Sequence, residues 1–217
     1  MITEKTSNFR EIAIGKIAPG VLYRSNHPIS NNRQVKEIAL AANKAKIKTV
    51  INLCDSTSSL QSIIILCPWY KKLLDENNVI AVNMSMQYDI TNRRFHRQMN
   101  DAITFMAEHE PPYLIHCLAG ADRTGILAIL LESFMGANWD EIVMDYMLTF
   151  VDKSEYSKND HKNGLIFMFD LFSKIKGASV TSNDNPQLLA ARYLTDKVKL
   201  SAEVLSILKS KLSNNGE

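Results

Sequence analysis

Three short apolar runs constrain this chain more than any other feature: residues 48–53 (KTVINL), 79–83 (VIAVN) and 113–116 (YLIH). Several of their residues are β-branched and each run is too short for a stable helix, so all three read as buried strands. Between the second and third lies the stretch 91–108, where Phe95, Met99, Ala102, Ile103 and Met106 recur at helical steps. That spacing predicts an amphipathic helix, ended by Pro111 and Pro112. A further helix is expected over 32–46, with Asn31 as its cap and Gln34 three positions on, as in a capping box. Strands alternating with helices predict an α/β fold with a central, largely parallel sheet flanked by helices.

The second half reads differently. Helices are expected over 125–135, 139–151, 165–175 and 197–212, the second of them carrying Trp139, Ile142, Val143, Tyr146, Met147 and Phe150 on one broad face. The polar segment 177–186 (GASVTSNDNP) interrupts this series. The expectation is one domain over 1–217, with a core at about 9–150 and a helical C-terminal third from 151 onward. Its 217 residues suffice for one substantial core.

The most specific signal is the run 116–125, HCLAGADRTG, placed between a predicted strand and a predicted helix. A turn of this length at a helix N-terminus can aim successive backbone N–H groups of Leu118, Ala119, Gly120, Ala121, Asp122 and Arg123 into one concavity. The helix dipole adds positive potential there, which makes a cradle for a tetrahedral dianion. A cysteine at its base, Cys117, is favoured as thiolate by those N–H groups and by a guanidinium, and a thiolate is a competent nucleophile toward phosphorus. Arg123 can curl back to give phosphate two parallel N–H bonds, a geometry lysine cannot reproduce. Gly120 permits an unusual φ and lets the backbone approach the ligand. Thr124 can donate to the sulfur and assist its departure.

Composition excludes several other classes. Twenty-five basic and 23 acidic residues leave a formal charge of +2, so no global field points to nucleic acid. The three cysteines, Cys54, Cys67 and Cys117, show neither Cys-x-x-Cys spacing nor a nearby His pair, so no zinc site, other metal or disulfide framework is expected. Cys54 and Cys67 read as small buried hydrophobes, the alternative being a redox partner for Cys117. The polar N-terminus and the lack of any long apolar run predict a chain without a membrane span in a reducing, cytoplasmic compartment; a secreted chain with its leader removed would look the same.

The run His-Cys-x-x-Gly-x-x-Arg-Thr-Gly resembles the signature loop of the protein tyrosine phosphatase superfamily. Six identities at ordinary usage would coincide at about one position in 10⁷. The Asp before the Arg, with the upstream element 20–25 (GVLYRS), looks more specifically like bacterial tyrosine phosphatases of the mycobacterial lipid and protein phosphatase type. The resemblance covers about 9–150 and implies hydrolysis of phosphotyrosine-type monoesters through a phosphocysteine intermediate, with no cofactor. Its partners would be phosphorylated proteins or small phosphomonoesters. An inositol-phosphate or phosphoinositide phosphatase of the same mechanism, or a silent phosphate-binding module, is the alternative. Ala121 stands where lipid-directed members commonly carry Lys, and no Trp-Pro-Asp element supplies a general acid. Two candidates for that acid stay open. Asp122 lies inside the loop, and the matching residue of mycobacterial-type relatives is thought to do this work. Asp89, 28 residues before Cys117, follows the VIAVN strand, where dual-specificity phosphatases place their acid-bearing loop. His116 either supports the thiolate through its surroundings or is a satisfied core histidine. Arg24 braces the loop or a turn. Arg93, Arg94, His96 and Arg97 form a basic patch, read as a solvated face or as an attractor of acidic substrates.

Overall fold

The computed structural model describes residues 7–29, 32–85 and 89–213, apart from the side chains of 32–34. The expected cap of Asn31 with Gln34 lies outside the described residues. Five strands form one sheet among them: β1 (Arg10–Ile12), β2 (Leu22–Ser25), β3 (Thr49–Asn52), β4 (Val79–Ala81) and β5 (Tyr113–His116). Their order is β1-β2-β5-β3-β4, all neighbours parallel except the β1–β2 pair. The three strands expected from sequence are thus present and parallel. The two that were not expected have short, polar-containing sequences, REI and LYRS, in which buried Arg24 and Ser25 break the apolar signal.

Register brings the functional run into position. His116 of central β5 pairs with Ser25 of β2 on one side and Asn52 of β3 on the other. Three strands therefore end at one level, and the chain segments leaving them crowd together at the carboxyl edge, where ligands of open α/β sheets bind.

Alternate residues of each strand serve two apolar layers. Ile51 and Ile115 join a large cluster on one face, while Val50 and Leu114 join a smaller one on the other. The smaller layer is built with α1 (Asn32–Lys44), α2 (Thr57–Ile63), a 3-10 turn (Ile64–Leu66) and α3 (Pro68–Asp75). The larger takes α4 (Arg93–Glu108), α5 (Asp122–Phe134), α6 (Trp139–Met147), α7 (Lys158–Lys176), α8 (Pro186–Asp196) and α9 (Ala202–Leu212). α4 buries the predicted stripe Phe95, Met99, Ala102, Ile103 and Met106 and is capped by the Asn92 side chain. No helix among the described residues is long and apolar enough to cross a membrane.

The last predicted helix is corrected. The apolar positions counted from 197 onward belong to two structures: Val198 and Leu200 are buried in a connection, and α9 begins only after Ser201, whose hydroxyl accepts from the Val204 N–H. Lys199 at φ 66° is left-handed and cannot continue a right-handed helix. Ahead of it, α8 starts at Pro186 under an Asn185 cap, a helix the polar segment had obscured.

α7 approaches α6 so closely that a Cβ on Gly164 would lie 2.6 Å from Val143 Cγ1. Gly164→Val improves intrinsic helix propensity by less than about 1 kcal/mol but overpacks this contact at about 1–3 kcal/mol. The expected result is net destabilisation, read as a lower urea midpoint with an unchanged m-value.

Candidate active site

Cys117 lies at the end of β5, 2% exposed, and the next four residues turn into α5. The loop is anchored through its carbonyls. Leu118 O accepts from the His27 N–H at 3.0 Å, and Ala121 O accepts from the Gly125 N–H at 2.7 Å. Gly120 O accepts from Arg24 Nη2 at 2.8 Å and from Asn8 Nδ2 at 3.3 Å. The opposite groups are left open. Backbone N–H groups of Leu118, Ala119, Gly120, Ala121 and Asp122 donate to no other described residue. Carbonyls turned into the protein and amides turned out of it make an anion nest at a helix N-terminus.

Gly120 is required twice over. Its φ is 65°, and a Cβ there would stand 2.4 Å from Ser25 O. The close approach it allows is to the end of β2, a reason the sequence did not reveal. Buried Arg123, in the first turn of α5, donates from Nη1 to Met84 O at 2.9 Å, tying the loop to the segment after β4. Thr124 Oγ1 is buried without a hydrogen-bond partner among the described residues, so the expected bond to sulfur is not made. Leu118, Ala119 and Asp122 form the exposed rim.

Behind the loop sits a buried charge cluster. Arg24, wholly buried, donates from Nη1 to Asp145 Oδ2 at 2.7 Å while its Nη2 holds Gly120 O. Bracing of the loop, one of the two readings of Arg24, is the one that its geometry matches. Arg10 reaches the same carboxylate, with Nε 3.1 Å from Asp145 Oδ1 and Nη2 3.0 Å from Thr149 Oγ1. Burial opposes ionisation of Asp145, but the flanking guanidinium groups of Arg24 and Arg10 prevail and hold its pKa below the ordinary carboxylate value. Glu132 of α5 lies beside them, fully buried, its oxygens receiving no hydrogen bond from a described residue. Burial first, and then the Asp145 charge, push its pKa well up. Protonated Glu132 can itself donate to Asp145.

A second network joins the three strand ends. The Tyr70 hydroxyl lies 2.8 Å from His116 Nε2 and accepts from Asn52 Nδ2 at 3.2 Å. Asn52 also donates to Asp55 Oδ2 at 2.8 Å, which lies 2.7 Å from His27 Nε2, and the Ile29 N–H donates to His27 Nδ1. Burial drives the His116 pKa down to about 3, so its ring is neutral and bonded at neutral pH. This matches the core-histidine reading. Burial, reinforced by the Asp55 charge, pushes the Cys54 thiol up to about 12, and burial also raises Cys67. Both are protonated. The ligand atoms of His27, Cys54 and His116 lie within 4.8 Å of one another. Both nitrogens of His27 are already bonded, Nε2 to Asp55 and Nδ1 to the Ile29 N–H, so an ion taken up there would have to displace one of these bonds.

The tyrosine phosphatase family profile matches residues 1–214. The chain belongs to the tyrosine phosphatase family. Curated protein sequences give no match. Among solved structures, the core catalytic domain of the PP-IP phosphatase SIW14 from S. cerevisiae, in complex with citrate, is similar. It is 18% identical with a TM-score of 0.46, the match covering 78% of this chain and 91% of that one.

In this member of the family the two candidate acids differ in setting. Asp122 is the exposed first residue of α5, inside the loop. Asp89 is exposed, and the Thr91 N–H and hydroxyl both donate to its Oδ1, at 2.9 and 2.8 Å, which lowers its pKa. Residues that sequence reasoning did not single out, Arg10, His27, Asn52, Asp55, Tyr70, Glu132 and Asp145, supply most of the support. A signal existed for two of them: Glu132 and Asp145 are carboxylates on otherwise apolar helical faces, and such positions are rarely buried unless paired.

Glu132 sets a pH dependence. Its folded pKa is raised, so the stability tied to the neutral carboxyl is complete below the unfolded value of about 4.3 and is lost as pH climbs toward the folded value. Within that window each pH unit costs about 1.4 kcal/mol. Glu132→Gln keeps a donor for Asp145 and removes the titration. Urea unfolding at pH 5 and pH 8 is expected to show the variant gaining on wild type as pH rises.

Proposed function

We propose that this chain is a cysteine-dependent phosphatase that hydrolyses phosphotyrosine-type monoesters through a phosphocysteine intermediate. The observation that carries the reading is the set of unspent N–H groups from Leu118 to Asp122, with Arg123 next in the chain in the first turn of α5. One domain carries the chemistry, with the C-terminal helices as part of it.

In this reading the Cys117 thiolate attacks phosphorus and forms an S–P bond as the P–O bond to the leaving group breaks. The electron pair departs on that oxygen, which takes a proton from the acid. Leu118 to Asp122 N–H groups and the Arg123 fork hold the three equatorial oxygens, where charge is spread in the transition state. Water then attacks phosphorus, gives a proton to the same carboxylate, and releases phosphate and thiolate. The unpartnered Thr124 hydroxyl is available to the departing sulfur. No step needs a metal or an organic cofactor. Ala121 in place of a lysine favours the monoester over an inositol polyphosphate, whose further phosphates ask for cations at the loop.

Cys117→Ser is expected to abolish turnover while retaining phosphate-ester binding, since the nest is unchanged and a serine alkoxide is unavailable near neutral pH. Arg123→Lys should lose a factor of about 10²–10³, the scale of a lost oxyanion donor. Initial rates on a phosphotyrosine peptide, a phosphoserine peptide and a phosphoinositide, with Cys117→Ser as the blank, test the substrate class. A rate highest on the phosphoinositide would replace this reading by the inositol-directed one, and residual turnover in Cys117→Ser would remove the nucleophile.

The acid is assigned to Asp122, because the hydrogen bonds to Asp89 favour its ionised form. A tyrosine leaving group of pKa about 10 needs a proton far more than an acidic phenol does. Asp122→Asn should therefore slow a phosphotyrosine peptide by about 10²–10⁴ and an activated aryl phosphate much less. If Asp89→Asn produces that leaving-group dependence instead, the acid sits on the segment before α4.

A further inference from the structure

Away from the loop, the start of α4, the end of α7 and the connection from α8 to α9 enclose a cavity of about 920 Å³, a volume suited to a small molecule. None of residues 117–124 lines it. Its exposed wall is mostly apolar, and six exposed cationic side chains stand around it. Arg93 and Arg97 come from α4, Lys174 and Lys176 from α7, and Lys197 and Lys199 from the end of α8 and the connection. Lys174 and Lys176 are paired with Asp170 and Asp184, at 2.7 and 2.6 Å. Among the described residues, Arg93, Arg97, Lys197 and Lys199 form no ion pair within 4.0 Å. The lining holds one carboxylate, Asp196.

These cations are solvent-exposed, so their mutual repulsion is weak, but for Arg93, Arg97, Lys197 and Lys199 it is not offset by acidic partners within 4.0 Å among the described residues. Like charges from separate elements repel across one concavity. Arg93 and Arg97 also sit near the positive end of the α4 dipole, with no acidic residue in the first turn to offset them. The cavity is nonetheless rigidly built. Ile90 O on its floor accepts from the Tyr193 hydroxyl at 2.6 Å and lies 2.7 Å from His96 Nε2, the two rings meeting edge to face at 5.6 Å. Lys199 is presented from a left-handed backbone held between buried Val198 and Leu200. Preformed walls with unpaired cations are the chemistry of anion recognition.

We propose that this cavity is a second, non-catalytic anion site that takes a ligand bearing two or more phosphate groups. Four unpaired cations against one carboxylate exceed what a single phosphate neutralises, whereas a polyphosphate matches them. A phosphorylated small molecule and a phosphorylated lipid headgroup share this chemistry. The inference is independent of which ester the loop hydrolyses.

The test is calorimetric titration of full-length Cys117→Ser with inorganic tripolyphosphate, alone and combined with Arg123→Ala, Arg97→Glu/Lys197→Glu or the milder Arg97→Gln/Lys197→Gln. Tripolyphosphate binding should survive Arg123→Ala and weaken by about tenfold or more in either groove variant, as expected for lost charge-assisted bonds. It should also exceed the affinity for inorganic phosphate. Circular dichroism identifies any variant that fails to fold, and the glutamine pair then decides. Binding abolished by Arg123→Ala and untouched by the glutamine pair, or no binding at all, overturns the proposal. Preferential binding of an oligonucleotide overturns it too. Vesicles of phosphatidylcholine with 5% phosphatidylinositol bisphosphate, set against soluble inositol hexakisphosphate, identify the source. Retention on vesicles lost in the groove variants assigns a lipid headgroup, and binding of the soluble ligand alone assigns a free polyphosphate.

Discussion

Arg24 is the interaction on which the rest of the site depends. Its side chain is wholly buried, one end on the Asp145 carboxylate and the other on the Gly120 carbonyl, and through these two bonds β2, the loop and α6 share one cation. Removing one partner from a buried pair costs about 3–5 kcal/mol because the survivor stays charged and dry. Arg10 adds a second cation to the same carboxylate, and neutral Glu132 can add a hydrogen bond without a further charge. The arrangement is thus two cations, one anion and one acid kept protonated by burial, all serving to fix one peptide group of the loop.

That fixed peptide explains the polarity of the nest. When the Leu118, Gly120 and Ala121 carbonyls are committed to His27, Arg24 and Gly125, the intervening amides have to face the other way. In the proposed reaction that orientation costs nothing at the moment a phosphate arrives, which is where preorganised donors gain over water. The second network, from His27 through Asp55, Asn52 and Tyr70 to His116, sets the level of the strands from which the loop departs. Both networks lie outside the run of ten residues that carries the resemblance, apart from His116 and Gly120.

This separation decides what could be read from the sequence. The loop was legible because its residues are contiguous and their types are dictated by chemistry, and the central strands because apolar runs leave few alternatives. β2 was not, since its burial of Arg24 is compensated by Asp145, 121 residues away in the chain. A local pattern cannot display a partner at that distance. The final helix was misplaced for a different reason: Val198 and Leu200 are buried like helix residues but sit in a connection, so periodicity counted burial and took it for helix. Gly120 was assigned a role in ligand approach, and its contact with Ser25 O depends on a strand that the sequence did not announce.

The C-terminal helices, which no motif explained, acquire a function from the same logic. α6 delivers Asp145 to Arg24, and α8 delivers the Tyr193 hydroxyl to Ile90 O, one residue past Asp89. The connection before α9 takes the Asn100 amide on Val198 O, and Lys211 of α9 donates to His109 O, so α4 is held at its middle and at its C-terminal end. Arg123 donates to Met84 O, just past β4. The chain between β4 and α4 is thus bonded at Met84 by α5 and at Ile90 by α8. The placement of Ile90, and of Asp89 next to it, therefore depends on a helix of the C-terminal third.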